Sequence, residues 1–412
     1  MKNVIIGNSA AGVSAAETIR NIDKDASITI ISDEKHGFYS RCLLTYYLSG
    51  EISKKMLFIR PDDFFDKLNI NFMPSMRAVK IANGVVILED GSDVQYDKLL
   101  VATGASGNRI DIPGSDADGL FCMRDLNDLT AIDSRLGGVK AAVVIGGGLV
   151  GIKTACSLAK RGIKITVLIA SGTVLSQMID ANSGNMVKAV LEKNNLKIKT
   201  GVTPKEIIKK SGKLAGISLD NGETIDCQIA IMGKGVEPNT GLVKGLKIQV
   251  NSGIVVDNRM ETAIKGIYAA GDVAETMDIA LQSSRVNAIW PCAVEQGRIA
   301  GANMAGKIRQ YPGSLRMNSI SSFGLDVIAL GIVDPKDDKY EIFTPKDNIE
   351  QNIYQKLILK DDILCGAILV NDIKQAGFYN SLIKKRMKIT KFKKDLINSA
   401  NMYGSRYNLI KP

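Results

Sequence analysis

The stretch of sequence that decides the fold is MKNVIIGNSAAGVSAAETIRNIDKDASITIIS, residues 1–32. An apolar run ends at Gly7, a turn of small residues follows, and a helical pattern from Val13 to Asn21 leads into a second apolar run. Residues 141–169, AAVVIGGGLVGIKTACSLAKRGIKITVLI, repeat this order. Each copy therefore predicts a strand, a tight turn, a helix and a second strand parallel to the first.

The two glycine-rich turns indicate where phosphate groups would bind. In such a turn the first glycine allows the bend, the second lets the backbone approach a pyrophosphate, and the third lets helix and strand pack closely. The helix N-terminus then offers free N–H groups to the phosphates. The second copy is complete at Gly146, Gly148 and Gly151, whereas Ser9 fills the middle position of the first copy. One such turn could serve packing alone, but two in one chain favour two bound dinucleotides.

The residues that follow each second strand bear on which dinucleotide binds. A carboxylate about 20 residues beyond the glycines is expected to hold the adenosine ribose. The first copy supplies Asp33 and Glu34, but the second copy ends in residues 169–172, Ile-Ala-Ser-Gly, without an acid or an arginine. The choice between NADH and NADPH therefore stays open at this point.

Length and composition describe a globular chain of 412 residues, for which about 150 residues per domain predicts two or three domains. No apolar run is long enough to span a bilayer and no signal peptide is apparent, so we expect a cytoplasmic protein without a membrane span. The six cysteines are scattered and His36 is the single histidine. This composition argues against a metal site and against a Ser/His/Asp mechanism.

The positive charge is concentrated at the end of the chain. The formal net charge is +10, and residues 381–412 hold nine Lys or Arg against one acid, Asp395. Such a run can be a solvated helix face. It can also be a docking patch for an acidic partner. A nucleic-acid partner is not expected, because no nucleic-acid-binding motif accompanies the charges.

Together with the two glycine motifs, three further segments resemble the pyridine nucleotide-disulfide oxidoreductases, flavoproteins that bind two dinucleotides. The segments are residues 99–104, 235–240 and 266–272. The resemblance implies an α/β fold with two Rossmann-like domains, FAD and NADH or NADPH as cofactors, and an FAD-dependent NAD(P)H oxidoreductase. It further implies three domains: a discontinuous FAD-binding domain at 1–108 and 242–308, an inserted NAD(P)-binding domain at 109–241, and a small α+β interface domain at 309–412.

The same resemblance implies a set of cofactor-binding residues. On the flavin side these are Gly7, Ser9, Ala11, Gly12, Asp33, Glu34, Arg41, Ala102, Thr103, Gly104, Gly271, Asp272, Trp290, Pro291 and Ala293. On the nicotinamide side they are Gly146, Gly148, Leu149, Val150, Gly151 and Gly235. Asp272 would bind the ribityl chain of FAD. Trp290 and Pro291 would begin a helix that points at the flavin ring, or Trp290 would simply pack in the core.

Residues 32–44, SDEKHGFYSRCLL, resemble the branch of the family that reduces rubredoxin, ferredoxin or the iron–sulfur part of nitrite reductase. That branch typically has proline at the position of Cys42, whereas NADH oxidases and coenzyme A disulfide reductases have a catalytic cysteine there. Cys42 is thus a candidate catalytic thiol whose pKa the adjacent Arg41 could lower, or a small apolar residue in a proline-like position. Cys292, in a Trp-Pro-Cys setting, is a second thiol that could lie near the flavin.

Lys153 is the second candidate catalytic residue. The family commonly has a glutamate at this position that contacts the nicotinamide. We hypothesise that Lys153 supplies positive charge near the flavin and the nicotinamide; the alternative is a solvent-facing lysine on a helix.

Three functions follow from these observations. The preferred one is electron transfer from NAD(P)H through FAD to an acidic redox protein or iron–sulfur partner subunit of the rubredoxin or ferredoxin kind. The second is a Cys42-dependent NADH oxidase or a reductase of disulfides, persulfides or coenzyme A disulfide. The third is an FAD-carrying scaffold subunit with a disabled nicotinamide site. A homo-oligomer is left open.

Overall fold

The computed structural model describes residues 1–348 and 351–398. The first part of the chain contains β1 (Lys2–Ile6), α1 (Ala10–Ile22), β2 (Ser27–Ile31), α2 (Leu44–Leu48), α3 (Phe64–Lys67), β3 (Asn71–Met73), β4 (Ala78–Ala82), β5 (Val85–Leu88), β6 (Asp93–Gln95), β7 (Lys98–Val101) and β8 (Ala105–Gly107). The second part contains β9 (Leu120–Cys122), α4 (Leu126–Arg135), β10 (Ala141–Ile145), α5 (Leu149–Lys160), β11 (Lys164–Ile169), α6 (Ala181–Lys193), β12 (Leu196–Thr200), β13 (Pro204–Lys210), β14 (Lys213–Leu219), β15 (Thr224–Asp226), β16 (Ile229–Met232) and β17 (Val236–Pro238).

The remainder of the chain returns to the first sheet and then forms a separate one. Its elements are β18 (Ile254–Val255), β19 (Ile267–Ala269), β20 (Ala274–Asp278), β21 (Ser283–Arg285), α7 (Trp290–Met304), β22 (Met317–Ser322), β23 (Leu325–Gly331), β24 (Glu341–Asn348), β25 (Ile353–Lys360), β26 (Ile363–Val370), α8 (Ala376–Lys385) and α9 (Lys393–Asn398). Both predicted β-α-β units form, with bounds within a few residues of those expected.

The first parallel sheet has the strand order β19-β7-β1-β2-β3. Four of its strands (β1, β2, β7 and β19) are mostly buried and apolar after a polar first residue in β1, β2 and β7, as expected for a parallel sheet with both faces covered. On one face α1 and α7 pack in backbone contact: a Cβ atom on Gly297 would lie 2.2 Å from the carbonyl oxygen of Ala11, and one on Gly301 would lie 2.5 Å from that of Ala15. Only glycine allows this approach, so the two helices are held at a fixed separation.

The second parallel sheet repeats the arrangement in the order β12-β11-β10-β16-β9. The chain leaves the first sheet after β7 and returns to it before β19. β8 and β17 pair antiparallel at the crossing, where the Thr103 hydroxyl donates to the Asn239 carbonyl at 2.9 Å and the Asn239 amide donates to the Thr103 carbonyl at 2.9 Å. The expected exit and return segments therefore meet. The exact domain boundaries remain a prediction.

The C-terminal sheet is antiparallel, in the order β22-β23-β26-β25-β24. Successive side chains of β26 point to opposite faces: Ile368 joins the core shared with the second parallel sheet, whereas Leu369 joins the core beneath α8. The expected fold class, α/β with two dinucleotide-binding sheets and a small α+β C-terminal domain, is confirmed. Within residues 1–348 and 351–398, no helix has the length and apolar character needed to cross a lipid bilayer.

Candidate functional site

A cleft of about 930 Å³ lies where the carboxyl ends of the two parallel sheets face one another. Its walls include the residues that follow β1, β2, β7 and β19 of the first sheet and β16 of the second. Ligands of doubly wound sheets bind at this edge, and the volume is in the range of small-molecule and cofactor sites. Seventeen of the residues expected to bind cofactors line the cleft, as do both candidate catalytic residues: Gly7, Ser9, Ala11, Asp33, Glu34, Arg41, Cys42, Ala102, Thr103, Gly104, Leu149, Val150, Lys153, Gly235, Gly271, Asp272, Trp290, Pro291 and Ala293.

The turn after β1 is shaped for close approach of a ligand to the backbone. Gly7 has a φ of 119°, and a Cβ atom on it would lie 2.1 Å from the Ala102 carbonyl oxygen. Ser9 is the N-cap of α1 but makes no side-chain capping bond, so the first N–H groups of the helix are available to a phosphate. Gly12 lies beneath the turn, where a Cβ atom would be 1.9 Å from the Gly7 carbonyl oxygen, and it does not line the cleft.

The turn after β10 has the same geometry. Gly146 has a φ of 122°, and a Cβ atom on it would lie 2.4 Å from the Gly233 carbonyl oxygen. A Cβ atom on Gly151 would lie 2.2 Å from the Gly146 carbonyl oxygen, and Gly148 is the N-cap of α5. These three glycines and Gly12 are the expected binding residues that do not line the cleft; they shape the turns instead.

The two carboxylates after β2 have different surroundings. Glu34 accepts a hydrogen bond from the Tyr39 hydroxyl at 2.5 Å and forms an ion pair with Arg41. Arg41 also donates to the Arg124 carbonyl at 3.0 Å. Asp33 is exposed on the cleft wall, and among the described residues its carboxylate has no hydrogen-bond or ion-pair partner. Glu34 is thus neutralised within the protein, whereas Asp33 can accept from a ligand.

Arg124 is a cleft residue that the sequence did not reveal. Its guanidinium forms an ion pair with Asp272 at 2.7 Å and donates to the Ala105 carbonyl at 2.9 Å. Arg124 follows β9 of the second sheet, whereas Asp272 follows β19 of the first. A pair separated by 148 residues leaves no local signal in the sequence.

The start of α7 forms another wall of the cleft. Ile289 is the N-cap and Pro291 lies in the first turn, as expected for a helix beginning there. The Trp290 indole stacks on Phe38 with ring centroids 5.8 Å apart and also lines the cleft, so packing and cleft formation are combined in one side chain. The buried Gln296 side chain accepts from the Gly271 N–H at 2.8 Å, which ties the Asp272 loop to α7.

Cys42 is the one exposed cysteine of the six, and it opens into the cleft. The surrounding walls raise the pKa of its thiol by removing water, Lys153 opposes this increase, and Asp272 adds to it. The expectation that Arg41 lowers this pKa is wrong: the Arg41 guanidinium turns away toward Glu34. The cations that favour the thiolate are Lys153 and Arg124.

Lys153 is half-buried and lines the cleft rather than facing bulk solvent. Burial lowers the pKa of its ammonium group, and Cys42 acts in the opposite direction. Within the part of the chain that the structure describes, its ammonium group has no hydrogen bond or ion pair. Cys292 does not belong to this site: its thiol is buried, lies 3.9 Å from the Leu315 carbonyl oxygen and does not line the cleft.

Some cations of the basic tail are used within the fold. Lys384 lies 3.7 Å from Glu295, and Lys393 pairs with Glu341 and Asp362 at 2.8 Å each. Residues 399–412, which carry the last two cations of the run, lie outside the described residues.

Residues 1–297 match the family described as pyridine nucleotide-disulphide oxidoreductase. The chain belongs to this family. Residues 317–387 match the family described as the C-terminal domain of rubredoxin NAD+ reductase. Members of the pyridine nucleotide-disulphide family bind FAD and NAD(H), so the expected resemblance, enzyme class and cofactors are confirmed.

Three similar proteins illustrate the range of the family. The chain is 31% identical over 395 residues to the epsilon subunit of NADH-dependent phenylglyoxylate dehydrogenase from Aromatoleum evansii, covering 94% of this chain and 93% of that one. It is 30% identical over 397 residues to an NAD(P)H nitrite reductase of Bacillus subtilis (strain 168), covering 95% of this chain but 48%, about half, of the relative. The solved structure of an NAD-dependent persulfide reductase from A. fulgidus superposes with a TM-score of 0.87 at 25% identity, over 95% of this chain and 78% of that one.

Proposed function

We propose that the protein takes hydride from NADH or NADPH onto FAD and passes the electrons to an iron–sulfur or rubredoxin-like carrier. The observation that carries this proposal is the continuous cleft, which is lined both by the start of α1 and by the start of α5. Hydride transfer requires the two rings to be in contact, and a cleft lined by the starts of both helices would allow that contact. The match of the C-terminal sheet to a rubredoxin reductase domain supports the class of acceptor.

The residues of the first sheet suit FAD. The Gly7 turn and the free N–H groups of α1 would bind its pyrophosphate, and the unpartnered Asp33 would bind the adenosine ribose in preference to Glu34. Asp272, oriented by Arg124, would accept from the ribityl hydroxyls. When bound, FAD supplies the coupling of two-electron to one-electron chemistry, and the positive end of the α7 dipole would favour negative charge on its ring.

Three parts of the chain would each bind a different molecule. We assign FAD to residues 1–108 and 242–308, the nicotinamide nucleotide to 109–241 and carrier contact to 309–412. Leu149, Val150 and Lys153 would face the nicotinamide from α5, with Gly235 across the cleft.

Anaerobic mixing of the flavin-loaded protein with NADH and with NADPH tests the hydride step, and addition of purified rubredoxin then tests the acceptor. We expect at least one nucleotide to bleach the flavin and rubredoxin to restore its colour. Bleaching by neither nucleotide would instead favour the scaffold subunit with a disabled nicotinamide site.

A second candidate function is reduction of a sulfur substrate at Cys42. The specific observation in its favour is that Cys42 alone among the cysteines is open to the cleft, beside the unpaired Lys153. The flavin would re-reduce a mixed disulfide at this thiol with an electron pair from NAD(P)H. The similar A. fulgidus protein is named a persulfide reductase.

Replacement of Cys42 by serine separates the two functions. If the thiol reacts with substrate, Cys42→Ser should lower turnover with polysulfide or coenzyme A disulfide by about a hundredfold or more, because the covalent step is lost. Reduction of ferricyanide by NADH should stay within about twofold. The matched control is Cys365→Ser, since a serine there can keep the hydrogen bond to the Ile363 carbonyl. Equal turnover of wild type and Cys42→Ser with both sulfur substrates would exclude the thiol route.

The effect of the Lys153 charge on the acidity of the Cys42 thiol should be measurable. Because Lys153 lowers the pKa of Cys42, Lys153→Met should raise that pKa, since a nearby positive charge favours the thiolate. The rate of iodoacetamide alkylation of Cys42 as a function of pH measures the change. Lys160→Met is the control, since Lys160 lies on the same helix but pairs with Glu51. An unchanged midpoint in Lys153→Met would show that the two groups do not interact.

A further inference from the structure

Two arginines near the cleft have guanidinium groups without a partner among the described residues. Arg285 ends β21 and Arg316 immediately precedes β22. Both are half-buried, and neither guanidinium makes a hydrogen bond or ion pair with any residue in the described ranges. Burial lowers the pKa of Arg316, and the proximity of Arg285 lowers it further. Like charges held together in this way attract an anionic group from outside.

The pair lies at the edge of the redox site. Ala288 and Ile289, shortly after Arg285, line the cleft, and so do Met317 and Asn318, directly after Arg316. The arginines are thus where the start of α7 meets the C-terminal sheet. We name Arg285 and Arg316 the arginine rim.

The carboxylate of Asp278 offsets the effect of Arg285 on Arg316 only in part. Asp278 acts on Arg316, but its carboxylate is 1% exposed and already accepts from the Ala280 and Leu281 N–H groups at 2.9 Å and from Asn287 at 2.7 Å. Arg386 of the basic tail donates to the Ile279 carbonyl at 3.1 Å, which brings another cation to the turn between β20 and β21. One cation of the tail thus lies close to the hairpin that carries Arg285.

Large apolar side chains are exposed on the same part of the molecule. Met277 and Leu281 lie on the β20–β21 hairpin and are 48% and 38% exposed, and Met317 next to Arg316 is 37% exposed. Arginine and methionine are enriched in protein interfaces, whereas lysine is depleted there. This composition is typical of a protein-binding surface.

We propose that the arginine rim docks a small acidic protein that carries an iron–sulfur or rubredoxin-type centre, with carboxylates of that protein on the two guanidinium groups. The inference rests on the proposed function and names where its acceptor binds. Guanidinium forks bind carboxylates in a fixed geometry, so the rim would orient the carrier as well as attract it. One NADH delivers two electrons and releases one proton, so two carriers in turn are each reduced by one electron, Fe³⁺ to Fe²⁺.

The test compares wild type with the double variant Arg285→Met and Arg316→Met, which keeps the apolar stems. With purified rubredoxin as acceptor, the double variant should raise KM about tenfold, as the loss of close interfacial charge pairs predicts. Reduction of ferricyanide by NADH should stay within about twofold, since neither arginine lines the cleft. The KM of wild type should rise with ionic strength, and that of the double variant should rise less.

The matched control is Arg309→Met. Arg309 follows the far end of α7, a helix of 15 residues and therefore about 22 Å long, so Arg309→Met removes one positive charge, as Arg285→Met alone does, but away from the rim. An equal rise of KM in Arg309→Met would overturn the proposal in favour of a diffuse charge effect.

The remaining outcomes separate this proposal from the function on which it rests. An unchanged KM for rubredoxin in the double variant would overturn the docking site alone. If wild type reduces ferricyanide but neither rubredoxin nor putidaredoxin, both the docking site and the proposed acceptor fail. Should the double variant not retain FAD, the single variant Arg285→Met decides by the same KM criterion.

Discussion

Replacing Asp180 by alanine should lower the free energy of unfolding by about 3–5 kcal/mol, the cost of removing one partner from a buried ion pair. Asp180 lies at the start of α6 and accepts from the Tyr354 hydroxyl at 2.7 Å and from the Lys356 ammonium at 3.0 Å. The Lys356 and Asp180 side chains are only 8% and 9% exposed. The substitution would leave the Lys356 charge buried without its counterion and would remove a link between the second parallel sheet and the C-terminal sheet.

Urea unfolding of wild type and of Asp180→Ala measures this loss of stability. The control is Asp63→Ala, which removes an exposed ion pair with Lys67 and should change stability by less than about 1 kcal/mol. A loss for Asp180→Ala no larger than that of the control would show that the buried pair does not stabilise the fold.

The same residue makes stability depend on pH. Burial alone would raise the pKa of Asp180, but hydrogen bonds from Ser183, Tyr354 and Lys356 hold it below its ordinary value. Since the folded-state pKa is below the unfolded one, the stabilisation is complete above the unfolded value of about 3.9 and is lost as pH falls through the folded value. Wild type should therefore lose more stability than Asp180→Ala on acidification.

Gly7→Ala should abolish FAD retention. The new Cβ atom would lie 2.1 Å from the Ala102 carbonyl oxygen, at a φ of 119° that alanine rarely adopts. Either the turn at Gly7 or the Ala102 segment must move, and both line the cleft. We expect at least a roughly tenfold lower ratio of flavin to protein after purification, since cofactor affinity depends on this close approach.

Gly84→Ala is the control for backbone strain. Gly84 has a φ of 79°, but nothing lies within 4 Å of a Cβ atom there, so this variant should bind FAD normally at a cost of about 1 kcal/mol of stability. Full flavin content in Gly7→Ala would refute the assignment of this turn to FAD.

The sequence was sufficient for features that depend on neighbouring residues. Both β-α-β units follow from local apolar periodicity and small residues at the turns, so their strands, helices and glycine geometry could be predicted. The helix start at Trp290 was also predictable, because Pro291 favours the first turn. These local signals placed most of the expected site residues on the walls of one cleft.

Features that depend on side-chain direction or on distant pairing could not be predicted. Arg41 is adjacent to Cys42 in the chain, but the turn they share directs its guanidinium to Glu34. Cys292 is two residues from Trp290, yet two residues along a helix turn a side chain by about 200°, which takes the thiol away from the cleft. The pairing of Arg124 with Asp272 depends on how two sheets meet.

The glycine contacts between α1 and α7 make the cofactor site sensitive to mutations far from any reacting atom. The N-terminus of α1 would meet the phosphates and the N-terminus of α7 the flavin ring, and close backbone contact at Gly297 and Gly301 holds the two helices at a fixed separation. A methyl group at either glycine would wedge the helices apart. The two helices would then no longer bind the two ends of a single dinucleotide at the correct spacing, although no residue in contact with the dinucleotide had changed.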